Sequence, residues 1–313
     1  MHGAYRRSGC FSVRTPRRFE PVCAYYDGWM RTTLSSRFDV IRRLGAGGMG
    51  VVYEARDRKS GERLAIKTLH DREATALYRL KKEFRGLQNI IHPNLIQFRE
   101  LIEEDGEWFL VMEFVEGCDA RAYVRGHDDA IALAPTSEAA ASASTNDASA
   151  APITPPRDYD RLRDVIGQIA AALDHLHATE RLHCDVKPAN VVVDRTGRAV
   201  LLDLGLARLA IGGNSSTDGL AGTLPYVSPE QVTGAPASAA SDCYALGVLL
   251  FELLTGRWPF TGTAIQILHA KCSGEAPTSL LPSTTPDDLR ELCISLLRRD
   301  PAGRPSARNV VRI

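Results

Sequence analysis

Hydrophobic and polar positions partly alternate along the first third of the chain. The segments RFDVIRRLG (37–45), GVVYEARDR (50–58) and RLAIKTLH (63–70) have strand character, and KSGE (59–62) is a hairpin turn between the second and third. The period then lengthens. Over 71–90, and on to Ile91, the apolar residues Leu77, Leu80, Phe84, Leu87 and Ile91 fall at helical spacing with charges opposite. Pro93 stops the pattern, because it disfavours helix at His92. Two further strands, LIQFRELIEE (95–104) and EWFLVMEFV (107–115), are joined by Asp105 and Gly106. The pattern predicts a mostly antiparallel sheet with one helix.

After residue 157 the helical period dominates. Segment 158–180 carries Leu162, Val165, Ile166, Ile169 and Leu173 on one face. Short apolar strands, NVVVD (190–194) and AVLLDLG (199–205), flank a turn at Arg195, Thr196 and Gly197. The run CYALGVLLFELL (243–254) is too short to span a bilayer and contains Glu252, so it reads as a buried core helix. A small sheet-rich part therefore precedes a larger helical part, an α+β arrangement. Residues 127–157 are rich in Ala, Ser, Thr and Pro and lack aromatics, the mark of a disordered surface insertion with its ends close together.

Composition narrows the function classes. Lys plus Arg and Asp plus Glu both number 38, so no net field draws the chain toward nucleic acid or an anionic membrane. Seven cysteines without CxxC pairs argue for reduced thiols in a cytoplasmic protein, against a disulfide framework or a zinc site. Residues 1–36 are basic at their start, with no apolar signal core; they read as a disordered tail, or a basic arm, and Met30 is an alternative start.

Candidate chemistry begins at LGAGGMGVVYEA, where Gly45, Gly47 and Gly50 form G-x-G-x-x-G. A strand follows these glycines, so the dinucleotide-binding context of strand, glycines and helix is absent. A glycine-rich hairpin over phosphates fits, and so does a plain flexible turn. Lys67, among apolar strand neighbours, needs an anion or an exit to solvent, and Glu83 on the next helix is a candidate partner. HCDVKPAN offers Asp185 as a base, Lys187 as a cation and Asn190 as an oxygen ligand; Asp203 ends an apolar strand. Asn plus Asp is hard oxygen ligation, suited to Mg²⁺ with phosphates supplying the remaining ligands. Each residue alone is also a good turn former.

In order, GAGGMGVV, AIK, HCDVKPAN, DLG and SPE resemble the signature set of the protein kinases, in the form of the eukaryotic-like Ser/Thr kinases of bacteria, over roughly 38–311. The resemblance implies a bilobal protein-kinase fold in 37–313, with a small antiparallel-sheet N-lobe (37–112) carrying one helix and a larger helical C-lobe (113–313). It implies transfer of the γ-phosphoryl of Mg–ATP to Ser or Thr hydroxyls of protein substrates. In that reading Gly45, Gly47 and Gly50 cover the phosphates, and Lys67, paired to Glu83, contacts them. Leu44, Val52, Ala65 and Val192 line the adenine pocket; Met112 is the gatekeeper, and Glu113 and Val115 belong to the hinge. Asp185 takes the hydroxyl proton, Lys187 steadies the γ-phosphate, and Asn190 and Asp203 hold Mg²⁺. Thr223 helps seat the acceptor and Glu230 pairs with Arg304. Asp242 caps the helix 243–254 and holds the catalytic-loop backbone, while Leu87, Phe98, His183 and Leu204 form the regulatory stack. Two rivals remain: a pseudokinase scaffold, which the complete residue set disfavours, and a small-molecule kinase, which GTLPYVSPE disfavours.

Cys184 is the informative departure. The family's Arg at this place gathers a pocket for a phosphorylated activation-loop residue, and Cys cannot make those bidentate bonds. The expectation is an activity that depends little on phosphorylation at Ser215, Ser216 or Thr217. A redox-sensing thiol is the rival reading, which the adjacent Asp185 disfavours.

Overall fold

The structure, a computed structural model, describes residues 37–47, 50–69, 81, 84–104, 106–126, 153, 155–203 and 224–312. The first five strands, β1 (Phe38–Gly47), β2 (Gly50–Asp57), β3 (Arg63–Leu69), β4 (Phe98–Glu104) and β5 (Glu107–Glu113), form one sheet in the order β1-β2-β3-β5-β4. Every neighbouring pair is antiparallel. Alternation along the strands is only partial because both faces are covered. Tyr53, Leu64, Ile66, Phe109 and Val111 pack with Phe38 into one cluster. The intervening Ala65, Leu110 and Met112 point the other way, into a core shared with the helical part.

Residues 84–88 are helical, and Phe84 and Leu87 are buried as the spacing predicts. Ile91 departs from the expectation at 71% exposure. The helix has ended by then, and Ile90 turns inward in its place. The chain is next fastened to the helical part through backbone. Ile96 N–H donates to Leu201 O (3.0 Å) and Leu201 N–H to Asn94 O (2.9 Å).

Three short strands, β6 (Gly117–Asp119), β7 (Val191–Asp194) and β8 (Ala199–Leu201), make a second antiparallel sheet. The short helix α1 (Ala120–Val124) leads to the segment 127–152, and Arg157 N–H then returns to Val124 O at 3.0 Å. In α2 (Tyr159–Ala178) all five residues of the predicted apolar face are buried. Asp158 caps its N-terminus, accepting from the N–H groups of Asp160 and Arg161. After α3 (Pro229–Val232) comes α4 (Ala239–Thr255), buried at every residue from Ser241 to Thr255. A helix apolar all round must be an axis that others pack on; α2 and α6 (Asp287–Leu296) lie against it. It ends at Gly256 with φ +75°, where the left-handed cap favours glycine. α5 (Ala264–Ser273) and α7 (Ala307–Val310) complete the fold.

Asp242 does not cap this helix. The helix starts a turn earlier, with Ser238 as the capping residue and its N–H on Ser241 Oγ at 3.1 Å. Among the described residues no helix is long and apolar enough to cross a membrane.

One ion pair closes the helical part. Arg304 donates both terminal nitrogens to Glu230, each at 2.8 Å, and adds bonds to the carbonyls of Arg298, Ala240 and Arg299. The Arg304 side chain is fully buried. Burial pushes the Glu230 carboxyl up, but the bonds from Arg304 outweigh it and hold the carboxyl at about 2. A depressed carboxylate stabilises the fold above its ordinary value, and that contribution fades as pH falls from about 4.5 toward about 2. Leaving one buried partner uncompensated costs about 3 kcal/mol or more. Denaturant unfolding at neutral pH should therefore show that loss for Glu230→Gln. The gap between the variant and the wild type should narrow below pH 4.5.

Candidate active site

Strands β1 and β2 form a hairpin in which Gly45 faces Val52 and Gly47 faces Gly50. Gly50 has φ +134°, and a Cβ there would lie 1.9 Å from the carbonyl oxygen of Thr68 on β3. Only glycine lets the hairpin come down this close. The neighbouring Val51 N–H then reaches Thr68 Oγ1 at 2.8 Å. Leu44, Ala65 and Met112 are buried in one cluster, against which Val52 and Val115 pack. Ala65 and Met112 face each other across the β3–β5 register. β7 buries Val192 on the face opposite Val191 and Val193. Glu113, at the end of β5, accepts from Arg198 Nη2 at 2.8 Å.

Lys67 lies next to Ala65 on the same face of β3, with its side chain 10% exposed. Its Nζ donates to both carboxylate oxygens of Asp203 at 2.8 Å. Burial pushes the Asp203 carboxyl up, but Lys67, with smaller help from Lys187 and His183, holds it below the ordinary carboxylate value. Asp203 has φ +51°, a left-handed conformation uncommon outside glycine and Asn/Asp. Glu83, the predicted partner of Lys67, lies outside the described residues, as do Leu204, Ser215, Ser216, Thr217 and Thr223.

The loop 181–190 is held from below by a single carboxylate. Asp242, 2% exposed, accepts from His177 Nε2 (2.9 Å), His183 N–H (2.9 Å) and Cys184 N–H (2.8 Å). His183 is fully buried; its Nε2 donates to Leu202 O at 2.8 Å, and its Nδ1 accepts from Asp185 N–H at 3.3 Å. Cys184 takes φ +63°, which turns the chain between these anchors and presents Asp185. Asp185 Oδ2 accepts from Lys187 Nζ (2.9 Å) and Asn190 Nδ2 (2.8 Å). Asp185 Oδ1 is buried and has no hydrogen-bond partner among the described residues. Asn190 Nδ2 also donates to Asp185 O, so its oxygen is the end left to meet a ligand. Two cations, two carboxylates and an amide oxygen thus meet beneath a glycine hairpin, a site able to hold a polyphosphate and a hard cation. Leu87 and Phe98 are buried in the shared core above it.

Other contacts were not foreseen from the sequence. Glu252, buried in α4, binds Arg121 of α1 and the hydroxyl of Tyr226, and Trp258 Nε1 donates to that hydroxyl at 3.1 Å. Burial and the Glu252 carboxylate together push the Tyr226 phenol well up. Arg198 joins Glu113 to Pro93 O, which lies 2.6 Å from its Nε. Asn94 Nδ2 donates to Gln168 Oε1 and to Ala199 O, both at 2.7 Å. No local pattern announces such pairs; their partners lie 26 to more than 100 residues away.

A family model described as protein kinase domain matches residues 38–313. The serine/threonine-protein kinase PkaA of Streptomyces coelicolor is 35% identical over 298 residues, covering 89% of this chain and 49% of that protein. The serine/threonine-protein kinase PrkC of Bacillus subtilis is 31% identical over 278 residues, covering 87% of this chain and 39% of that protein. The chain therefore spans half or less of these relatives. A crystal structure of Rad53 1–466 in complex with AMP-PNP superposes with a TM-score of 0.67 at 24% identity, covering 92% of this chain and 68% of that one, a likeness of fold. With the glycine hairpin, Lys67, the Asp185 loop and Asp203 in this order on a two-lobed frame, the chain belongs to the protein kinase family and resembles its bacterial Ser/Thr members.

Proposed function

We propose that the chain is a Ser/Thr protein kinase that moves the γ-phosphoryl group of ATP to hydroxyls of protein substrates. The observation that carries the reading is the asymmetry of Asp185. One oxygen is fixed by Lys187 and Asn190, and the other is buried and unpaired among the described residues. A carboxylate held this way can accept the proton of an entering hydroxyl without first breaking a bond of its own. Lys187, already 2.9 Å from the carboxylate, would meet the γ-phosphate as the hydroxyl attacks.

The residues present fit ATP and Mg²⁺. Leu44, Val52, Ala65, Met112 and Val192 give the apolar walls for adenine, and the backbone of Glu113 and Val115 its edge. Gly45, Gly47 and Gly50 admit phosphates close to backbone N–H groups. Lys67 would exchange its Asp203 bonds for phosphate oxygens, with Glu83 as its remaining carboxylate partner. Asn190 and Asp203 are the hard oxygen donors for Mg²⁺, which when bound neutralises phosphate charge. The kinase domain is proposed to occupy 37–313, with lobes at 37–112 and 113–313 and an insertion at 127–157. A cytoplasmic setting goes with it: Cys243, Cys272 and Cys293 are free thiols.

Transfer of labelled γ-phosphate from Mg–ATP to the chain itself and to a generic basic protein tests the reading. Asp185→Asn should lower turnover by about 10²- to 10⁴-fold, the usual contribution of a positioned base, while Mg–ATP still binds. Nucleotide binding without transfer by the wild type would favour a scaffold instead.

Regulation follows from residue 184. The family's Arg there would pair with a phosphate on the activation segment, and the Cys184 side chain has no positive charge to offer. What the loop needs from this residue is its backbone: a left-handed turn and an N–H on Asp242. Activity should therefore be nearly independent of activation-segment phosphorylation. Replacing Ser215, Ser216 and Thr217 together by Ala should leave turnover within a few-fold of untreated wild type, and phosphatase treatment of the wild type should do the same. A hundredfold fall would contradict the reading.

A further inference from the structure

Helix α5 buries a lysine. Lys271 is 1% exposed, and its ammonium makes no ion pair with a carboxylate among the described residues. Instead Nζ donates to two backbone carbonyls, Pro225 O at 2.6 Å and Val227 O at 2.5 Å. It also lies 5.0 Å from the ring centre of Tyr244 and 5.9 Å from that of Phe260. The Tyr244 ring also meets a second cation, with Arg304 4.9 Å from its centre. Burial pushes the Lys271 ammonium down to about 7, with Cys272 and Glu230 pulling weakly the other way. A leucine or methionine would fill the same space without that desolvation, so the packing of α5 does not account for a lysine. The two carbonyls do.

Those carbonyls belong to residues 224–228, between the activation segment and α3. Nearby points of the stretch are already anchored. Tyr226 is held through its hydroxyl by Glu252 and Trp258. Ser228 N–H is taken by Gln231 Oε1 at 3.2 Å, and Glu230 by Arg304. Leu224 packs with Phe260 and Ile267 of α5. Lys271 takes the backbone oxygens on either side of Tyr226 and thereby fixes the level of the main chain between the side-chain anchors. In the kinase reading this stretch is the ledge along which an acceptor segment lies.

We infer that Lys271 is a positioning residue for the protein substrate, setting the height of the ledge 224–228 from beneath. The inference rests on the kinase reading of the site. Among the described residues Lys271 bonds to neither the glycine hairpin nor the Asp185 loop, so its effect falls on acceptor binding and not on nucleotide.

The test compares wild type with Lys271→Met, which keeps chain length and apolar packing and removes both donors. KM and kcat are measured for a generic basic acceptor protein, together with KM for Mg–ATP and the melting temperature. The expected result is a rise of about tenfold or more in acceptor KM, with KM for Mg–ATP within twofold of wild type. An acceptor KM within twofold of wild type in a folded variant would overturn the inference. So would an equal loss against acceptor and nucleotide, which marks a general loosening of the fold. Should Lys271→Met fail to fold, Lys271→Leu, which also fills the space with apolar atoms and removes every donor, is read by the same criteria. Failure of the wild type itself to transfer phosphate would remove the kinase reading, and the inference with it.

Discussion

The architecture of the site depends on one buried carboxylate. Asp242 sits in the first turn of a helix that is apolar on every side, so its charge has no solvent to turn to. Three donors converge on it, and two are consecutive backbone N–H groups of the loop that carries Asp185. A buried charge is tolerable only when it is bonded. The same need that keeps Asp242 satisfied therefore fixes the path of residues 183–184, including the left-handed turn at Cys184. From that turn onward the positions of Asp185, Lys187 and Asn190 follow through short local bonds.

The second constraint is the bridge between the sheet and the loop. Lys67 and Asp203 are 136 residues apart in sequence and share two hydrogen bonds of 2.8 Å. Each is the other's compensation. In the proposed function, an entering polyphosphate with its cation would replace both partners at once: oxygens for the lysine, a metal for the carboxylate. A pairing of this kind leaves neither costly group uncompensated. The joint above is firm at several points. Asn94 reaches Ala199 and Gln168, and Arg198 reaches Glu113 and Pro93. These bonds tie the sheet's last strand to the floor of the cleft while leaving the glycine hairpin at the sheet's far edge.

Much of this was legible in the sequence, for identifiable reasons. Period-two runs became strands, and the 158–180 pattern became α2 with the expected residues inside, because burial on one face leaves a local signature. The ordered motifs placed Lys67, Asp185, Asn190 and Asp203 on one site, because Lys67 lies on the inward face of a strand and the others at a strand end or in a short turn. The pattern failed where the next element decided the outcome. Ile91 continued a helical spacing that the chain had already abandoned for the strand-ward turn at 90–95. Asp242 looked like a cap because the apolar run begins at Cys243, yet Ala239 and Ala240 extend the helix backward. Glu252 and Lys271 were illegible as site elements. A charged residue in an apolar run or on a half-exposed helix shows nothing of its partner until the fold brings the partner in.

Cys184 separates two functions that one position can combine. A residue between the buried His183 and Asp185 must supply a backbone N–H to Asp242 and tolerate φ near +60°, and neither demand concerns the side chain's charge. The geometry of the proposed base can therefore survive loss of the guanidinium that a phosphate would grip. The remaining order of the region has to come from contacts that need no phosphate. Residues 224–230 are fastened by Glu252, Trp258, Lys271 and Arg304, all of them from α4 or from segments C-terminal to it. In the proposed reading, a ledge held by that many fixed partners would leave little for a phosphorylated loop to organise, and the missing arginine and the buried lysine would be two sides of the same design.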